Sequence, residues 1–148
     1  MLRALSVLVC VAVVGCSSAP RPVDGSWVIC DATGAPISDE PLVTLVAAGA
    51  DDLACTLHAD GAHGSRTQDV VTTLRRDGAD SWTSDPMPVD EPVQVPVLEQ
   101  GRLAGHRPVV GPLLVLVFDL GVEGAHEAEL RVATEMDGVL RFPLRRRR

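Results

Sequence analysis

Leu113-Leu114-Val115-Leu116-Val117-Phe118-Asp119-Leu120 is followed, after a Gly-containing break, by Glu127-Ala128-Glu129-Leu130-Arg131-Val132-Ala133-Thr134 and then by Val139-Leu140-Arg141-Phe142-Pro143-Leu144. The first block is apolar at both parities up to Asp119, the pattern of a strand buried on both faces, and eight residues fall well short of the roughly 20 that a membrane-spanning helix needs. In the second block Glu127, Glu129 and Arg131 alternate with Ala128, Leu130 and Val132, which gives one wet and one buried face. Asp137-Gly138 supplies positive φ for a tight turn, after which Leu140 and Phe142 continue the inward set. The three blocks predict a C-terminal three-stranded antiparallel meander.

Working outward, the same signature recurs. Gly, Pro and Val are abundant, helical spacing of Ala, Leu and Glu is scarce, and short apolar runs sit between turn residues. Strands are expected at 26–30, 42–47, 53–59, 69–75, 81–84, 93–98, 113–120, 127–134 and 139–144. Prolines at 86, 88, 92 and 96 each remove a ladder donor, so that stretch reads as an edge strand or an extended crossover; its spacing is too irregular for a polyproline ligand. The expectation is a mainly β chain whose single domain, 25–144, is a small β-sandwich or open barrel, mostly antiparallel, and large enough to bury its own core.

The N-terminus reads differently. A basic residue, Arg3, precedes an apolar segment, 5–14, interrupted only by Ser6 and Cys10, and Gly15 ends it; this is secretory-signal anatomy. Val13, Val14, Gly15 and Cys16 fill the four places of a lipobox, and the first 20 residues resemble bacterial lipoproteins with a lipoprotein-type signal peptide. The resemblance implies removal of 1–15, a diacylglyceryl thioether on Cys16, and acylation of its new amino group. Ordinary secretion with a cut after Ala19 is the alternative, with Pro20 then unfavourably placed beyond the cut. Residues 16–24, Ser-Ser-Ala-Pro-Arg-Pro at their centre, form a tether of at most about 30 Å. The partner implied is the membrane, reached through the N-terminal lipid, with an envelope protein as the further candidate. The location is the cell envelope: the outer membrane where a cell has one, as Ser17 favours, otherwise the outer face of the cytoplasmic membrane.

Cys30 and Cys55 are the cysteines left once Cys10 is removed and Cys16 lipidated, and export favours their pairing as a disulfide, for which a 25-residue loop gives roughly 3–4 kcal/mol. His58, Asp60 and His63 are the weak candidates for a metal site; two His five apart do not share a strand face, and solvated loop side chains are the plainer reading. His106 and His126 flank the apolar 113–120 block. Asp77, Asp80 and Asp85 surround Gly78 and read as a turn, without the loop pattern of a calcium site. No nucleophile elbow, phosphate loop or zinc-protease motif occurs, so neither catalytic residues nor a cofactor is assigned. With no Tyr, two Trp, two Phe and a net charge of −7, neither stacking on single strands nor duplex binding is favoured, and no nucleic-acid partner is expected. Four arginines at 145–148 oppose a body that carries −12 without them once the signal is gone, 8 Arg against 20 acidic residues. They read as a basic tail, able to touch an anionic leaflet or to neutralise the body loosely.

Val28-Ile29-Cys30-Asp31-Ala32-Thr33-Gly34-Ala35-Pro36-Ile37, with Val43 and Leu45 beyond, resembles the opening of carboxypeptidase-regulatory-like domains, which implies a β-sandwich entered through an Asp-x-x-Gly-x-Pro turn; Glu40 and Pro41 depart from that pattern. Two functional classes follow: a non-catalytic envelope lipoprotein that binds a partner, or a small enzyme or metal-binding lipoprotein whose site is dispersed along the chain.

Overall fold

The computed structural model describes residues 23–58, 69–120, 126–136 and 138–148. Cys16 with the signal and most of the tether, Asp60, His63 and Asp137 lie outside the described residues. The described chain is all β: β1 (Gly25–Ile29), β2 (Val43–Ala47), β3 (Asp52–Leu57), β4 (Val70–Arg76), β5 (Ser81–Ser84), β6 (Met87–Glu99), β7 (Arg102–Asp119), β8 (Ala128–Thr134) and β9 (Gly138–Arg146). Every pairing is antiparallel, in the order β5-β4-β3-β2-β1-β9-β8-β7-β6, and a further pairing of β5 with β7 joins eight strands into a closed hydrogen-bonded circuit. The join is made by Trp82 opposite Phe118 and Thr83 opposite Val117, and is extended by the buried Ser84 Oγ, which accepts the Leu116 N–H at 2.9 Å.

Period-2 alternation decides which side chains enter the circuit. On β3 Leu53, Cys55 and Leu57 point inward, on β8 Ala128, Leu130 and Val132, and on β7 Leu114, Leu116 and Phe118, all at most 1% exposed. β7 therefore is not buried on both faces as its composition suggested: Leu113 is 42% exposed, and Val115 and Val117 are half-buried on the outer side. The β7–β8–β9 meander forms as expected, and Gly138 carries the positive φ, +72°, that its turn requires.

At one end of the circuit two Trp rings flank Phe118, Trp27 edge-on at a centroid distance of 5.1 Å and Trp82 at 6.3 Å. An arginine covers each: Arg146 lies 4.8 Å over Trp27 and Arg76 lies 5.4 Å over Trp82. The other end is overlain by the long β6–β7 hairpin, which inserts Val93, Val95 and Val109 into the core and whose Gly101 comes close to Asp31.

The Pro-rich stretch is an edge strand, as its missing donors demand. β6 pairs with β7 alone, with register shifts between Met87 and Val93. Gln94 stands opposite Pro108 and Pro96 opposite His106. A proline has no N–H for the ladder, so these two are non-hydrogen-bonded pairs, and the proline nitrogens face the outer edges of the hairpin on both strands.

Candidate functional site

Cys30 and Cys55 are both buried free thiols, and the expected Cys30–Cys55 disulfide is not formed in this structure. The register holds them apart. Cys55 stands opposite Leu45 and Leu45 opposite Gly25, whereas Cys30 lies five residues beyond Gly25 on β1. At about 3.3 Å per residue that is roughly 16 Å along the strand, against a Cα separation of at most about 7 Å for a disulfide. Burial pushes the Cys55 thiol up to about 12, and burial, with Asp31 second, raises that of Cys30.

His58 emerges at the end of β3 in a short polar chain. Its Nε2 is 2.8 Å from Thr44 Oγ1 on β2, which is 3.1 Å from Ser26 Oγ on β1, while its Nδ1 faces Asp69 Oδ2 at 3.6 Å. Carboxylate, imidazole and hydroxyl thus lie in the sequence that acid–base activation of a nucleophile uses. The 3.6 Å gap is too long for a hydrogen bond, and the backbone N–H of His58 donates to Leu42 O at 2.8 Å. Among the described residues no group of three or more His, Cys, Asp or Glu could hold a metal ion.

The same His58 lines a cleft of about 110 Å³ under the β6–β7 hairpin. His106, Glu40 and Ser38 are its other polar residues, and Ile29, Ile37, Leu42, Pro96 and Leu103 contribute apolar surface. No spacing motif joins His58 to Thr44, its neighbour across the β2–β3 hairpin, or to His106, which lies far along the chain on β7. The cleft is well below the roughly 300–1,000 Å³ of small-molecule sites.

Asp77, Asp80 and Asp85 do not converge. Asp85 pairs with Arg75 at 3.6 Å, the Asp77 N–H donates to Ser81 O, and Asp80 O accepts from the Leu120 N–H. The cation in this turn is Arg76 itself, which donates to Gly78 O at 3.1 Å and Ala79 O at 2.6 Å.

The outer face of β1–β4 is uncharged along two registered rows, Ser26–Thr44–Thr56–Val71 and Val46–Ala54–Thr73. Val46 and Val71 on it are 57% and 72% exposed.

The basic tail begins later than its composition suggested. Arg145 and Arg146 belong to β9, opposite Val28 and Trp27, and the Arg147 N–H donates to Ser26 O at 2.8 Å. Arg145 Nη1 donates to Gly34 O at 2.8 Å and Arg146 Nη1 to Asp24 O. With residues 147 and 148 they line a groove of about 530 Å³ whose opposite side is formed by Val28, Pro36, Ser38 and Asp39. The Asp31 turn supports that side. Its Oδ1 accepts from the Thr33 hydroxyl and from the Thr33 and Ala35 N–H groups, which holds the carboxyl below its ordinary range, the Thr33 hydroxyl contributing most.

No protein-family model matches the chain, and comparison with curated proteins and with solved structures finds no match either.

Proposed function

We propose that the protein is a lipid-anchored envelope lipoprotein whose β-rich body is a non-catalytic binding or accessory domain. We read the closed circuit as a barrel rather than as two packed sheets, because eight strands enclose an interior just wide enough for side chains to fill. The carrying observation is that filling: the large side chains Leu45, Leu53, Leu57, Leu74, Leu116, Phe118 and Leu130 occupy the interior at 0–1% exposure. With the interior filled by these side chains among the described residues, a partner is met on the outside. The uncharged β1–β4 face with Val46 and Val71 exposed supports this reading, and the prolines on both outer edges of the β6–β7 hairpin disfavour strand addition there. The anchor rests on Val13-Val14-Gly15-Cys16, with the cell envelope as location.

Two measurements test it. Metabolic labelling with an alkynyl fatty acid should mark the wild type and not Cys16→Ala, with loss of membrane fractionation in the variant; equal labelling defeats the anchor. A photo-crosslinking residue placed at Val71 should yield a discrete adduct with one envelope protein in cells, and its absence defeats the binding face.

The enzyme reading has one observation behind it, the Thr44–His58–Asp69 chain. If Thr44→Val and His58→Ala each left the protein folded but abolished rescue of a deletion strain, that reading would replace the present one.

A further inference from the structure

We propose that the groove formed by Arg145, Arg146, Arg147 and Arg148 is a binding site for a phosphate-bearing anion. Four other arginines of this acidic chain find carboxylates: Arg75 with Asp85, Arg76 with Asp51, Arg131 with Asp119 and Arg141 with Glu129, all within 4.0 Å. None of the four consecutive arginines makes an ion pair among the described residues, although the chain has 20 acidic residues against 13 basic ones. Side chains on a strand alternate in direction, and Arg146 is turned over Trp27, yet four positive charges within four residues repel one another, and a multivalent anion relieves that repulsion.

The groove is also held in shape before a ligand arrives. Arg145 and Arg146 are fixed in the β9 ladder against β1, Arg145 is tied to Gly34 O, and the backbone of Arg147 to Ser26 O. Arg147 and Arg148 extend beyond the ladder as exposed side chains. Every basic residue in the chain is Arg and none is Lys. The planar guanidinium fork binds phosphate oxygens in pairs, which a compact ammonium cannot do. At about 530 Å³ the groove admits a phosphate with an attached group; Asp39 also lines it, a single carboxylate against four arginines.

Phosphate of this kind has two sources, a soluble phosphate compound and the headgroup of an anionic lipid. The test uses the full chain carrying Cys16→Ala, so that no acyl chain contributes and the outcome is independent of the anchor. One arm titrates inorganic pyrophosphate by calorimetry. The other measures co-sedimentation with vesicles of phosphatidylcholine containing about one third phosphatidylglycerol, against phosphatidylcholine alone. Binding in either arm is expected to weaken roughly 25-fold when Arg147→Gln is combined with Arg148→Gln, at about fivefold per arginine, and to fall with added salt. Arg75→Gln removes one exposed charge away from the groove and should leave binding unchanged. Pyrophosphate binding without vesicle binding assigns a soluble phosphate compound, and the reverse assigns the lipid headgroup. Binding in neither arm, or an equal loss with Arg75→Gln, overturns the site.

Discussion

Leu116→Ala and Val115→Ala, made one residue apart on β7, should differ several-fold in cost. Leu116 is fully buried in the circuit, stands opposite Val132, and its N–H is held by Ser84 Oγ at the closing seam. Truncation there removes three buried carbons and leaves a cavity in a ladder that cannot collapse, a cost of about 3 kcal/mol. Val115 is half-buried on the outer side opposite Ala133, so its truncation exchanges partly hydrated surface and costs about 1 kcal/mol or less. At about 4 °C per kcal/mol for a body of this size, the expected fall in Tm is about 12 °C for the first and under about 4 °C for the second. Urea titration followed by tryptophan fluorescence measures both. The chain has two Trp and no Tyr, and both indoles lie against Phe118, so the signal reports directly on the core. Equal costs would mean that β7 is buried on both faces, and the inward alternation, with the closed circuit built on it, would be refuted.

Peptide mapping after alkylation without reductant should find Cys30 and Cys55 each as a thiol, unreactive at pH 8 in the folded protein and reactive once it is unfolded; a peptide pair linked through them would refute the β1–β2–β3 register. Arg76→Met should cost about 1–2 kcal/mol in the same urea assay, because it removes the two carbonyl contacts of the β4–β5 turn and the cation over Trp82, and no change would show that turn to be held by backbone alone. The Asp31 carboxyl is depressed below its ordinary value of 3.8 in the folded state, so the stability it contributes is complete above that value and is lost as pH falls through the lower folded value. Asp31→Asn should therefore flatten the fall in urea midpoint below about pH 4, and an unchanged acid limb would rule out the Thr33 and Ala35 contacts.

Nine strands were legible because each is a short apolar or alternating run closed by local turn residues. The exceptions have local causes. β7 was expected from 113 and begins at Arg102, because Gly105, Pro108 and Gly111 break the apolar pattern. They are tolerated because this half of β7 pairs only with β6, Pro108 turns its nitrogen to an open edge, and the two glycines take positive φ, +132° and +156°. At the chain's end, Arg145 and Arg146 look polar on both faces, and only pairing with β1 reveals that Arg146 covers a tryptophan. The thiols illustrate the opposite failure: composition and export favoured a bond, whereas register, which depends on two successive strand pairings, separates them. Thr44 and His58 meet across the β2–β3 hairpin, 14 residues apart, and no motif spaced along the chain announces it.

The partner of β1 across the circuit is β9, with Trp27 opposite Arg146 and Ile29 opposite Leu144. The first strand to be made therefore waits for the last. Until β9 arrives, β1 and β8 each present an open edge and Trp27 lacks its covering cation, so there is no earlier stage at which the seam can shut. Such contacts between distant parts of a chain pay their loop-closure entropy before they return any energy, which places folding on the millisecond-to-second scale rather than the microsecond scale. A ribosome still holding β9 keeps the circuit open between β1 and β8.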